Sequence, residues 1–208
     1  MRFAPRPIRF GRRPANSDDE TAGLPTPARV KLLARRAAGI AEAKAVLEHL
    51  PGPGESLHAI TTSRMDLTDI LNALLEKLGR CDEMVIASLG YGPRNLRMLL
   101  GWLDSGAVGE MTLLASIFFK AHNSGLWEET LSEFRKRKQC TACAPSHAKV
   151  VAMKFTCGER LTIEGSANLR ASGSVRENLT LIHDANLTDW HARWIKERVA
   201  KYEGAEDE

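Results

Sequence analysis

This 208-residue sequence has no apolar run approaching about 18 residues, which excludes a membrane-spanning helix. No apolar stretch of 7–15 residues follows its early arginines either, so a secretory signal is not expected. Only four cysteines occur (Cys81, Cys140, Cys143 and Cys157), too few and too scattered for an exported disulfide framework, and a reducing cytoplasmic setting is the expectation. Cys140 and Cys143 form the one CxxC; zinc wants two further ligands at similarly tight spacing, so no metal is expected there. Charge of one sign is scarce as well: 29 Lys+Arg against 26 Asp+Glu leave +3, too little to announce a nucleic-acid binder. What is present is 43% hydrophobic residues in 22.9 kDa, enough for one domain with a substantial core.

The small net charge conceals an uneven distribution. Residues 1–36 hold nine basic residues against Asp18, Asp19 and Glu20, a local +6; the remaining 20 basic and 23 acidic residues leave −3. Five of the nine prolines fall within residues 1–27. Proline, arginine and small polar residues without apolar periodicity describe a disordered arm, read either as a solvated tail or as an attractor of phosphate. The expected organisation is an arm over 1–27, a helix and linker over 28–54, a folded domain over 55–203 and an acidic tail over 204–208.

Within the domain, strands and helices alternate. A helix over 28–50 ends at Pro51-Gly52-Pro53-Gly54, and Leu57 to Thr62 is a short strand. Leu67, Ile70, Leu71, Leu74, Leu75 and Leu78 recur on one helix face behind a plausible N-cap, Asp66, and Gly79 ends that helix. Met84–Leu89 and Met111–Phe119 read as buried strands, and 94–104 and 126–138 as helices. The second of these ends in Arg135-Lys136-Arg137-Lys138, a run that suits a solvated helix end. Residues 147–155, 161–164 and 178–183 read as further strands, with a turn around Cys157-Gly158-Glu159. Trp190, Trp194, Arg198 and Tyr202 fall on one face of a final helix, the tryptophans read as core. The pattern predicts an α/β fold, a central mixed β-sheet flanked by helices.

Chemistry concentrates between Ser146 and Ile182. His147-Ala148-Lys149 is followed by Gly165-Ser166-Ala167-Asn168 and then by Glu177-Asn178 before an apolar run. Residues two apart on a strand share a face, so His147 and Lys149 are expected to project together, nucleophile beside cation. A strand running into Gly-Ser-x-Asn sets a hydroxyl and an amide at its end, with glycine allowing close backbone approach. Lysine supplies charge, Ser166 and Asn168 supply hydrogen bonds, and Glu177 can orient an imidazole. Singly these signals are weak; as an ordered set they resemble the phospholipase D superfamily, whose hallmark is HxK, four residues, Asp, then Gly-Ser-x-Asn. The spacing to Glu177 resembles its small bacterial endonuclease branch. The resemblance departs at position 154, which is Lys154 where the family has aspartate. Residue 154 lies an odd number of positions from His147, so in a regular strand it faces away from the site.

The resemblance implies a phospholipase D-like sandwich and a phosphodiesterase, nuclease-like on nucleic acid, that uses a phosphohistidine and neither metal nor other cofactor. His147 is then the nucleophile, Lys149, Ser166 and Asn168 bind phosphate, and Glu177 orients His147. The mechanism needs two HxK motifs, and none of the other five histidines is followed two residues later by lysine. A homodimer with the motif at its twofold axis supplies the second. The alternatives are a lapsed nucleic-acid-binding module, favoured by Lys154, and a phospholipid headgroup hydrolase; stable membrane insertion is not expected.

Overall fold

A computed structural model describes residues 37–61, 65–169 and 176–203; the arm over 1–27 and the tail over 204–208 lie outside the described residues. So does the start of the first helix, whose described part spans 37–46 (α1). The Pro-Gly-Pro-Gly stretch leads into β1, Ser56–Thr61. The leucine spacing produces α2, Leu67–Leu78, which buries Leu67, Ile70, Leu71, Leu74 and Leu75. Asp66 caps it: its carboxylate accepts from the Asp69 N–H, and the Asp69 carboxylate accepts from the Asp66 N–H. Next come β2 (Cys81–Ser88), α3 (Pro93–Asp104, with proline in its first turn) and β3 (Val108–Ser116).

The sequence predicts extended chain as far as Phe119; the strand instead stops at Ser116. The Ser116 hydroxyl accepts from the Phe118 N–H at 3.3 Å, which turns Ile117–His122 into a short helix, α4. Helix α5, Ser124–Lys136, buries Trp127, Thr130 and Phe134. Its basic end is a helix terminus, as expected, and Arg137 there reaches Asp104 at 2.7 Å and Glu133 at 2.5 Å. Strand β4, Cys140–Ala144, has no counterpart in the sequence reading, since its five residues are small and lack an apolar run. Strands β5 (Val150–Phe155) and β6 (Arg160–Gly165) form a hairpin that turns at Gly158, φ 95°. Strand β7 is Glu177–Ile182, and α6 is Ala185–Tyr202 behind an Asp184 cap.

The seven strands make one sheet in the order β1-β7-β6-β5-β2-β3-β4. Strands β2, β3 and β4 are mutually parallel; β5 runs antiparallel to β2, and β6, β7 and β1 continue antiparallel. On one face, Met84, Ile86, Leu113, Val151 and Met153 pack with Ala43, Leu47, Leu74, Leu99, Trp127 and Phe134 from four helices. On the other, α6 covers Val85, Ala87, Leu114 and Ala152 with Ala192, Ile195 and Val199. The buried face of α6 is thus Thr188, His191, Ala192, Ile195 and Val199. The tryptophan reading is corrected: Trp190 is 55% exposed, and Trp194 is half-buried at the margin. Small alanines against the sheet bring α6 close, so the bulky rings are displaced to its flanks.

Lys138 is the one non-glycine among the described residues with positive φ, 56°. It follows α5 where Gln139 N–H returns to the Phe134 carbonyl (2.9 Å), a C-terminal motif that favours glycine. Lys138→Gly is expected to raise the unfolding free energy by about 0.5–1 kcal/mol, read from urea titrations.

Candidate active site

The strand directions decide where the predicted residues can meet. Parallel β2, β3 and β4 end at Ser88, Ser116 and Ala144 on one side of the sheet. Antiparallel β5 starts on that same side, with Val150 opposite Ala87. Glu164 sits opposite Val150 and Gly165 opposite Leu179, so β6 ends and β7 begins there too. His147, Lys149, Gly165, Ser166 and Glu177 therefore gather at one end of the sheet, beyond the carboxyl ends of its parallel strands, where ligands of open α/β sheets bind.

His147 and Lys149 do not lie on a strand, contrary to the sequence reading: β5 begins only at Val150. Its neighbours β2 and β6 end at Ser88 and Gly165, one residue past the partners of Val150, so the ladder has nothing further to pair with. Their expected juxtaposition nevertheless occurs. Lys149 Nζ lies 3.3 Å from His147 Nδ1 and donates to the His147 carbonyl at 3.2 Å. His147 is exposed and Lys149 half-buried. An ammonium can only donate, so Nδ1 is the acceptor and the neutral ring carries its proton on Nε2. Lys149 lines a narrow cleft with Leu67, Gly165, Ala167 and Asn178.

Gly-Ser-x-Asn follows the end of β6 as predicted. A Cβ on Gly165 would lie 2.2 Å from the Asn178 carbonyl oxygen, so no other residue fits without parting β6 from β7. The Ser166 hydroxyl donates to the Glu177 carboxylate and accepts from the Asn178 N–H (3.1 Å). Glu177 is thus brought to Ser166; the ring partner described for His147 is Lys149. Asn168 Oδ1 is buried and, among the described residues, is the side-chain N or O atom left without a hydrogen-bond partner.

Because His147 and Lys149 precede β5, strand parity does not relate them to Lys154. Lys154 shares a face with Val150 and Ala152, beneath α6, and pairs with Glu83 (2.9 Å) and Asp189 (2.8 Å). The Lys154 ammonium holds the Asp189 carboxyl below the usual carboxylate range. Cys140 is exposed as the first residue of β4, and Cys143 is buried on the opposite face. A larger cavity, of about 530 Å³, lies at the other end of the sheet between the start of β4 and the last turns of α6; it contains none of the predicted site residues.

Beneath the Gly-Ser-x-Asn loop lies a buried polar network that sequence reasoning missed. Arg94 spans Asp66 (2.6 Å) and Asp69 (2.7 Å). The Asn95 amide donates to Asp66, to Thr68 and, at 2.9 Å, to the carbonyl of Leu169. Burial pushes the Asp66 carboxyl above its ordinary value, and the Asp69 charge adds to this, while Arg94 opposes both. The network fixes the residue beside Asn168 from α2 and α3. The signal available in sequence was Asp66-x-Thr68-Asp69 at a cap together with Arg94-Asn95 in a first helical turn, 25 residues or more apart.

Three outcomes are expected of this end of the sheet. Arg94→Leu is expected to cost about 3–5 kcal/mol near neutral pH, because it strands two buried carboxylates. A carboxyl raised in the folded state binds its proton more tightly there than in the unfolded chain, so stability falls as pH rises through the raised value. The loss in Arg94→Leu should therefore be smaller at about pH 5 than near pH 7, read from urea midpoints at both. Gly165→Ala is expected to destabilise by about 1–3 kcal/mol, checked by thermal unfolding.

No protein-family model matches the sequence, and no curated protein matches it. Solved structures do. Nuc from Salmonella typhimurium, a phospholipase D family member, superposes with a TM-score of 0.50 at 12% identity, over 69% of this chain and 94% of that one. Polyphosphate kinase from Porphyromonas gingivalis superposes with a TM-score of 0.51 at 12% identity, over 75% of this chain and 28% of that one. The mixed seven-stranded sheet with helices on both faces is the phospholipase D-like fold.

Proposed function

We propose that this chain is a phosphodiesterase acting on nucleic acid through a phosphohistidine on His147, in a homodimer that supplies the second histidine. The observation that carries the reading is the Lys149 ammonium 3.3 Å from the exposed His147 ring, at the sheet end that also holds Ser166 and Glu177. The unpartnered Asn168 Oδ1 supports it. Turned about its last torsion, the amide presents an N–H donor suited to a phosphate oxygen, and amide oxygen and nitrogen have nearly the same shape. The fold it shares with Nuc, a phospholipase D family member, supports the choice of phosphodiester chemistry. The +6 segment at residues 1–36 supports nucleic acid over lipid.

In this reading Lys149 turns to the phosphate oxygens when substrate arrives. Nδ1 of His147 is then free to carry the ring proton, held by a carboxylate such as Glu177, and the Nε2 lone pair faces phosphorus. The P–N bond forms as the P–O bond to the leaving group breaks, and His147 of the second copy gives its proton to the departing oxygen. That same histidine then takes a proton from water, which attacks phosphorus and breaks the P–N bond. Asn168, and Ser166 once its hydroxyl turns from Glu177 to the phosphate, stabilise the equatorial oxygens by hydrogen bonds.

Cleavage of labelled DNA and RNA in EDTA should occur with wild type and drop by at least about a thousandfold in His147→Ala, because the nucleophile is gone. A base-stable, acid-labile phosphate should be trapped on His147 by rapid quench. Failure of every nucleic-acid substrate to show His147-dependent cleavage would leave the second reading, a lapsed binding module. One observation favours that reading: Lys154, at the family's aspartate position, is fully engaged with Glu83 and Asp189. It is recognised by salt-sensitive binding that survives His147→Ala and weakens when residues 1–27 are removed.

A further inference from the structure

Helix α4 presents two neighbouring phenylalanines in opposite ways. Phe119 is buried, its ring centroid 4.2 Å from that of Tyr91 and its edge against Gly90. Phe118 is 61% exposed, and Ile117 beside it is 41% exposed. Nothing in the packing requires an aromatic at 118, yet its backbone is held at both ends. Its N–H donates to the Ser116 hydroxyl at 3.3 Å, and its carbonyl accepts from the His122 ring at Nδ1, 2.8 Å away. The ring therefore projects from a fixed base.

Its position follows from the register. Ser116 pairs with Ala144, the last residues of adjacent strands. Phe118 lies two residues beyond the first and His147 three residues beyond the second. Both thus stand at the same end of the sheet. Strand β5, which Lys149 precedes, is two places from β3 across the sheet, roughly 10 Å at the usual strand spacing.

We infer that Phe118 is a stacking platform for a nucleobase next to the phosphate held at Lys149, and that the substrate is a single strand whose bases are free to stack. This rests on the nucleic-acid reading above. The surroundings favour a nucleic acid over a second protein copy on this patch. Helix α4 carries Lys120 and His122 and no acidic residue. An exposed, rigidly based aromatic beside a lysine is the usual arrangement for base stacking on single strands. Of the other exposed large apolar residues, Ile40 and Trp190 lie on α1 and α6; Ile60, opposite Asn178 on β1, stands at the same end of the sheet but offers no aromatic face.

The test compares full-length wild type, Phe118→Ala and Phe118→Trp for binding of three labelled probes: a mixed-sequence single-stranded oligonucleotide, an abasic oligomer of the same length, and the corresponding duplex. Wild type should prefer the base-bearing single strand over the abasic oligomer by about tenfold, in line with one stacked base. Phe118→Ala should lose that preference and bind the abasic oligomer as wild type does; Phe118→Trp should keep the preference. A preference unchanged in Phe118→Ala would overturn the inference. So would equal wild-type affinity for single strand and duplex, or a shift of Phe118→Ala to a smaller species in sedimentation, which would make Phe118 a subunit contact. His147-dependent cleavage is scored separately on the same probes. Absent cleavage with an intact base preference sinks the catalytic reading alone, and cleavage with no base preference sinks the platform alone.

Discussion

The antiparallel pairing of β5 with β2 is the constraint on which the rest of the molecule depends. Val150 faces Ala87 and Met153 faces Met84, so β5 must begin where β2 ends. The three parallel strands deliver their carboxyl ends to that side, and α2, α3 and α4 begin there as well. Reversing β5 would carry His147 and Lys149 to the far end of the sheet, away from Ser166 and Glu177. The pairing is held by burial: Val151 and Met153 sit in the larger core and Ala152 in the smaller, so a slip by one residue would exchange the two sets.

Around that pairing the site is built from close backbone approach rather than from bulk charge. Gly165 lets β6 lie against Asn178, which seats the Ser166 hydroxyl between a carboxylate and a backbone N–H. The buried ionic network of Asp66, Asp69, Arg94 and Asn95 then fixes Leu169, and with it the loop that carries Asn168. Charged groups in a dry setting are costly unless paired, so such a network holds its geometry tightly once formed. The net charge of +3 plays no part in this end of the sheet.

The α2 helix was legible in sequence to the residue, because an apolar stripe, a cap and a closing glycine all agree there. Strand β4 was not, because Cys-Thr-Ala-Cys-Ala carries no periodic signal and is a strand only by virtue of β3 beside it. Ser116 shows the reverse: a local hydroxyl outweighed an apolar run and ended a strand early. Trp190 was misread for a reason of geometry, since a helix packed closely on alanines has no room beneath it for an indole.

Sequence alone determined the chemistry available: an imidazole two residues from an ammonium, then a Gly-Ser-x-Asn and a Glu-Asn in fixed order. These are properties of local spacing, and spacing is written along the chain. Only the tertiary structure decided which of these groups touch. It placed Lys149 on His147, gave Glu177 to Ser166, left Asn168 Oδ1 without a partner and set Phe118 exposed at the same rim. It also joined Asp66 to Arg94 and Asn95 across 28 and 29 residues of sequence. Such contacts depend on strand order and direction, which the burial of two separate faces fixes and no short motif records.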